Sequence, residues 1–205
     1  MIYINGQKSA FEINQFANLE ELIVAANESC TSANEVITEI HLNDELFNEL
    51  YPHQAEDIEP NEIQKVEIFS IGYNKMASDI VEELFKVTAS IRVAATQASE
   101  TLRRGDDFEA LNTIQNMTDV ARNFFNMINY FQADFNAPET AEYKETVNKF
   151  NNIIDEINTE MENEDWILVA DLLEFEVAPL CAEFDGYLKT LRFYFSTEVN
   201  NQIAQ

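Results

Sequence analysis

The sequence predicts an α+β chain: a small strand-rich module over residues 1–73, followed by an antiparallel four-helix bundle over residues 74–205. Three observations carry this expectation. Gly6, Pro52, Pro60 and Gly72 crowd the first 73 residues, whereas only Gly105, Pro138, Pro179 and Gly186 interrupt the rest. Gly and Pro punctuate turns, so the change in their spacing near Tyr73 marks a boundary. Apolar spacing also changes there, from alternation to steps of three and four. Finally, 46 % of the 205 residues are hydrophobic, which is enough for a packed core despite a formal charge of −26.

The front module begins with Tyr3-Ile4-Asn5-Gly6-Gln7, an Asn-Gly pair between two strand-like runs. That pair tolerates the positive φ angles of a tight hairpin turn. Asn18 and Glu21 then read as a capping box. They open a helix with Leu19, Leu22, Ile23 and Ala26 on one face. Strand character returns in Val36–Leu42 and again in Val66–Ile71, with a turn at Asn43-Asp44. Hairpin, helix and further strands is the order of a β-grasp, or ubiquitin-like, module. Two activities of that fold are excluded. A carrier needs a free terminal Gly-Gly, but Gly72 runs straight on into Tyr73. A β-grasp ferredoxin needs four cysteines for its cluster, and only Cys30 is present here.

The helices follow in order. Met76, Ile80, Leu84, Val87, Ile91, Ala94, Ala98 and Leu102 form the first stripe, and Arg103-Arg104-Gly105 ends it. Asp106 or Asp107 caps a second helix, with Leu111, Ile114, Met117, Ala121, Phe124, Ile128 and Phe131 expected inside. Pro138 ends the connection after it. A third helix shows Tyr143, Val147, Phe150, Ile154, Ile157 and Met161. The fourth, from about Asp165 to Asn200, shows Leu173, Val177, Leu180, Phe184, Leu188, Leu191 and Phe195. Short connections between long amphipathic helices imply antiparallel neighbours.

Charge and motifs remove most function classes. Acids outnumber bases 38 to 12, which opposes binding to nucleic acid or to an anionic lipid surface. No run reaches the roughly 18–20 apolar residues of a membrane span. No secretory leader is read at Met1-Ile2-Tyr3, and the two distant cysteines, Cys30 and Cys181, suit packed thiols in a reducing compartment, so a cytoplasmic location is expected. Nucleophile-elbow and glycine-loop phosphate motifs are absent. The only histidines, His41 and His53, lie outside the helical part, which removes the Glu-x-x-His sites of di-iron bundles. Asp171 with Glu174, and Glu156 with Glu160, sit one turn apart, but in so acidic a chain they read as solvated faces. No catalytic residue, cofactor or metal ligand is assigned.

The fourth helix is the informative one. On a 100° wheel its apolar arc is far wider than a surface helix needs, because Leu168, Leu172 and Phe175 lie beside the main stripe and Tyr187, Phe193 and Tyr194 continue that flank. These six residues are the expected partner-binding surface. Pro179 lacks the N–H that would reach the carbonyl of Phe175, so a kink is expected there. Glu176 falls inside the arc and calls for Arg92 or Arg122 as a partner.

The run Leu102-Arg103-Arg104-Gly105-Asp106, with Glu109–Ile114, resembles a hairpin of bacterial flagellar export chaperones for flagellin. Glu164–Leu173 with Pro179 is similar to a segment of uncharacterised bacterial proteins that join a small β-containing part to a helical bundle. The two likenesses together span roughly residues 76–195. They imply a non-enzymatic adaptor or chaperone-like protein that covers an amphipathic helix of a client, with flagellar export as the implied setting. A metal- or small-molecule-dependent enzyme using bundle carboxylates, and a self-associating structural module, are the competing readings.

Overall fold

The computed structural model describes the backbone of residues 1–203 and the side chains of residues 1–197. The chain is α+β and divides into two compact units, Met1–Met76 and a second that starts at Ala77.

In the first unit, β1 (Ile2–Ile4) and β2 (Gln7–Lys8) form the expected hairpin, with Tyr3 opposite Lys8 and Ile4 opposite Gln7. Asn5 and Gly6 have φ of 49° and 76°, the pair of left-handed residues that a two-residue hairpin turn requires. Helix α1 (Leu19–Ser32) is capped by Asn18, whose side chain accepts from the Glu21 N–H at 3.0 Å. Glu21 accepts in return from the Ala17 N–H at 2.8 Å. Strand β3 (Glu35–Leu42) turns through Asn43 and Asp44, with φ of 51° and 71°, into the two-residue β4 (Glu45–Leu46).

Strand β5 (Val66–Gly72) lies at the centre of the five-stranded sheet, whose order is β2-β1-β5-β3-β4. It runs parallel to β1 and antiparallel to β3. Two asparagines fasten the turns to it. Asn5 accepts from the Ser70 N–H and donates to Ser70 Oγ, both at 2.9 Å. Asn43 accepts from the N–H groups of Gln64 and Lys65 and donates to the Glu62 carbonyl. Ile2, Leu19, Leu22, Ala26, Val66 and Ile68 fill the core between α1 and the sheet.

The second unit is helical. Helix α2 (Tyr73–Arg103) ends as anticipated, with Gly105 at φ 82° and its N–H on the Leu102 carbonyl. Asp106 caps α3 (Asp107–Asp134) by accepting from the Glu109 N–H at 3.2 Å. Thr140 caps α4 (Ala141–Glu162), and Asp165 caps α5 (Trp166–Leu172). A π-helical turn, Leu173–Val177, joins α5 to α6 (Ala178–Ile203).

Cross-helix pairs fix the directions. Glu82–Arg192, Thr88–Asp185 and Arg103–Asp171 run in opposite order on α2 and on the α5–α6 rod. Tyr143–Tyr187 and Phe150–Phe184 make α4 antiparallel to α6. Phe124–Phe184 and Phe131–Phe195 make α3 parallel to it.

Two expectations about the core need correction. On α2 the fully buried line passes through Ala77, Val81, Thr88 and Ala95, with Ile80, Val87 and Ala94 packed at its edge. Thr88 belongs in the line because its hydroxyl is satisfied, donating to Asp185 at 2.6 Å. On α3, Leu111 is exposed and Ala110 occupies the interior place.

Phe124, buried between Phe125 and Phe184, supplies the test of this packing. Phe124→Ala should lower the stability of the helical unit by about 3–5 kcal/mol. Urea unfolding followed through Trp166, the single tryptophan, reads the change. A loss below about 1 kcal/mol would mean that the aromatic core is not packed as described.

Candidate functional site

Leu173, Val177, Leu180, Phe184, Leu188, Leu191 and Phe195 all point into the core, as their spacing anticipates. The six residues assigned to a partner divide differently. Leu172 and Tyr187 are 8 % and 5 % exposed, and Leu168 and Tyr194 are half-buried against the same core. Phe175 and Phe193 are 61 % and 74 % exposed. The fold therefore does not gather the six into one open ridge. It consumes four of them internally and leaves two phenylalanines outside.

Hydrogen bonds explain the inward pair of tyrosines. Tyr187 donates to the Pro138 carbonyl at 2.8 Å and accepts from Gln132 at 3.0 Å. Its ring stacks on Tyr143, with centroids 4.1 Å apart. Tyr194 donates to the Phe135 carbonyl at 3.1 Å. A buried phenol needs such a partner, so these amphipathic rings can close the core edge where a phenylalanine would leave the Pro138 and Phe135 carbonyls uncapped. Burial raises the pKa of both Tyr143 and Tyr187.

The π-helical turn accounts for Glu176. The Ala178 N–H reaches the Leu173 carbonyl five residues back, so each residue in this turn advances by less than the α-helical 100°. Glu176 then falls short of the core side and is exposed, as is Phe175. Neither Arg92 nor Arg122 is needed. Pro179 follows the widened turn immediately, and the discontinuity expected at that proline takes this form.

Of the two carboxylate pairs, Asp171 with Glu174 is engaged by the chain itself. Arg103 donates to Asp171 at 2.6 Å and to Glu174 at 3.1 Å, and Ser99 donates to Glu174 at 3.2 Å. A resident guanidinium therefore fills the place that a cation would take. The contact ties the end of α2 to the widened turn.

Among the described residues, concavities lie between helices of this unit. A cleft of about 410 Å³ is lined by Thr140, Tyr143, Thr146, Glu183, Gly186 and Tyr187. Glu183 there accepts from Thr146 at 3.0 Å and Lys149 at 3.4 Å. Between α3 and α4, two further hollows share Phe125 and Asn151.

In the first unit, Glu20, His53 and Glu56 offer one ligating atom each within 4.8 Å of one another. A hydrogen bond with Glu56 is the main cause that raises the Glu20 pKa, since the two carboxyls stand together most easily when one holds a proton. Sequence spacing gives no sign of this grouping, because Glu20 opens a helix more than 30 residues before the other two.

Cys181 is buried beside the widened turn. Burial first, then the Asp185 charge, pushes its thiol from 9.0 to about 11, against Arg92. A folded pKa above the unfolded value contributes stability that is complete below pH 9 and is lost as pH rises toward 11. In a Cys30→Ala variant, the alkylation rate of the folded chain by iodoacetamide should rise with a midpoint near pH 11. A midpoint near 9 in the folded chain would contradict the burial of this thiol.

No curated protein and no solved structure matches the chain. Residues 1–71 match the model of a domain of unknown function, DUF8043. Residues 79–186, just over half of the chain and the stretch that holds α3, α4, α5 and the widened turn, match a second such model, and the chain belongs to that family, the domain of unknown function DUF8042.

Proposed function

We propose that this is a non-enzymatic adaptor or chaperone-like protein, a β-grasp module joined to a four-helix bundle, that binds an amphipathic helix of a client. The sheet order β2-β1-β5-β3-β4, with its parallel central pair and single packed helix, supports the β-grasp reading of the front. The alternating helix directions support the bundle.

One observation carries the functional reading. Phe175 and Phe193 are the most exposed of the six expected partner residues, and they stand on the rod whose other side is core. They are 18 residues apart, roughly 27 Å at 1.5 Å per residue, or about five helical turns. Two anchors at that spacing suit a long helix lying along the rod. Leu168 and Tyr194, half-buried, would form the rim of such a contact, while Leu172 and Tyr187 support it from beneath. The charge of −26 favours a basic client and keeps the complex dispersed. The likeness to flagellin export chaperones makes a flagellar client the first to try.

A photo-crosslinking residue placed at 175 or at 193, in the native cell, tests this reading. The expected result is one shared client captured from both positions and not from Phe108, an equally open phenylalanine on α3. Capture of nothing, or equal capture from position 108, would defeat the assignment. Capture of a second copy of the same chain would replace the adaptor with a self-associating module.

A further inference from the structure

We propose that Glu20, His53 and Glu56 form a binding site for a divalent transition-metal ion of the Zn²⁺ class. Glu20 lies in the first turn of α1, and the other two lie in the segment between β4 and β5. Their ligating atoms fall within 4.8 Å of one another, and His53 Nδ1 stands 2.8 Å from Glu56 Oε1.

The donor set separates this cluster from the many chance pairs of surface acids. One imidazole nitrogen with two carboxylate oxygens is a borderline set that suits Zn²⁺ and its neighbours better than Mg²⁺ or Ca²⁺, which take oxygen alone. Three protein donors also leave a coordination position for water. Zn²⁺ with bonds of about 2.0–2.2 Å requires its donors about 3.3–3.6 Å apart. His53 Nδ1 and Glu56 Oε1 stand closer than this, and both side chains are exposed, so packing does not hold them at that separation.

The backbone holds the two chain segments together without any help from the cluster. Leu19 donates to the Ile58 carbonyl at 3.0 Å, and Glu20 donates to that of Ala55 at 3.3 Å. The buried Ala55 donates in turn to the Glu49 carboxylate at 3.2 Å. Two carboxylates and an imidazole are thus kept adjacent by contacts that a cation need not create. The first 73 residues carry 14 acids and only Lys8 and Lys65 as bases, and Lys65 is committed to Asp44 and Glu67. A bound dication would relieve the Glu20–Glu56 repulsion.

Equilibrium dialysis of the full chain against Zn²⁺, with excess Mg²⁺ present to occupy sites made of carboxylate alone, tests the proposal. The expected result is one Zn²⁺ retained per chain, with affinity about tenfold or more weaker in His53→Asn and in Glu20→Gln. Asparagine tolerates the left-handed backbone of residue 53, where φ is 64°, and far-UV circular dichroism verifies that both variants fold. No saturable retention, or equal retention by parent and both variants, would overturn the site.

Discussion

A proline in the last helical rod sets the terms for the helical unit. An uninterrupted α-helix from Trp166 onward would meet Pro179 without a donor for the Phe175 carbonyl and with its ring against the preceding turn. The chain inserts one wide turn at Leu173–Val177 instead, with the Ala178 N–H on the Leu173 carbonyl. Leu173 and Val177 remain in the core on either side of it, and Leu180 and Phe184 resume the α-helical step beyond it. The cost of the irregular turn is offset by full burial of that line and by the Arg103 contacts to Asp171 and Glu174. Glu176 is turned outward by this adjustment, whereas Phe175, two residues beyond Leu173, faces away from the core at either helical step.

The stops and starts of the elements were legible because they use side chains with a local mechanism. Asn18, Asp106 and Asp165, all read from the sequence, each accept from an N–H three residues on, as does Thr140, which was not singled out there. Asn5-Gly6 and Asn43-Asp44 take up the positive φ that their turns need. Such signals act within four residues and do not depend on the rest of the fold. The α6 stripe and most of the α3 stripe were legible for a related reason, since a core demands a continuous apolar line at helical spacing. On α4, Tyr143, Phe150 and Ile157 are buried, and Val147, Ile154 and Met161 only partly so.

Features decided by distant partners were not legible. Thr88 reads as polar until Asp185, 97 positions away, accepts its hydroxyl. Tyr187 and Leu172 read as surplus apolar perimeter until Tyr143, Pro138 and Gln132 are seen to use the tyrosine and the core to close over the leucine. Glu176 was misplaced because a wheel drawn at a constant 100° over-rotates the residues inside the wide turn. The meeting of Glu20 with His53 and Glu56 depends on how an irregular segment docks on α1, which no periodicity encodes. No described helix is long and apolar enough to cross a membrane, in line with the absence of any such run in the sequence.

The division of the last rod's apolar residues between the chain's own core and the outside is the claim on which the adaptor reading stands. Single cysteines at positions 168, 172, 175, 187, 193 and 194 test it by their rates of maleimide labelling in the folded chain, since native Cys30 and Cys181 are buried. Positions 175 and 193 should label at nearly the rate of an unfolded chain, 168 and 194 more slowly, and 172 and 187 slower by about a hundredfold or more. Protection at 175 and 193 equal to that at 172 and 187 would show the rod to be closed on all sides and would leave no anchor for a client.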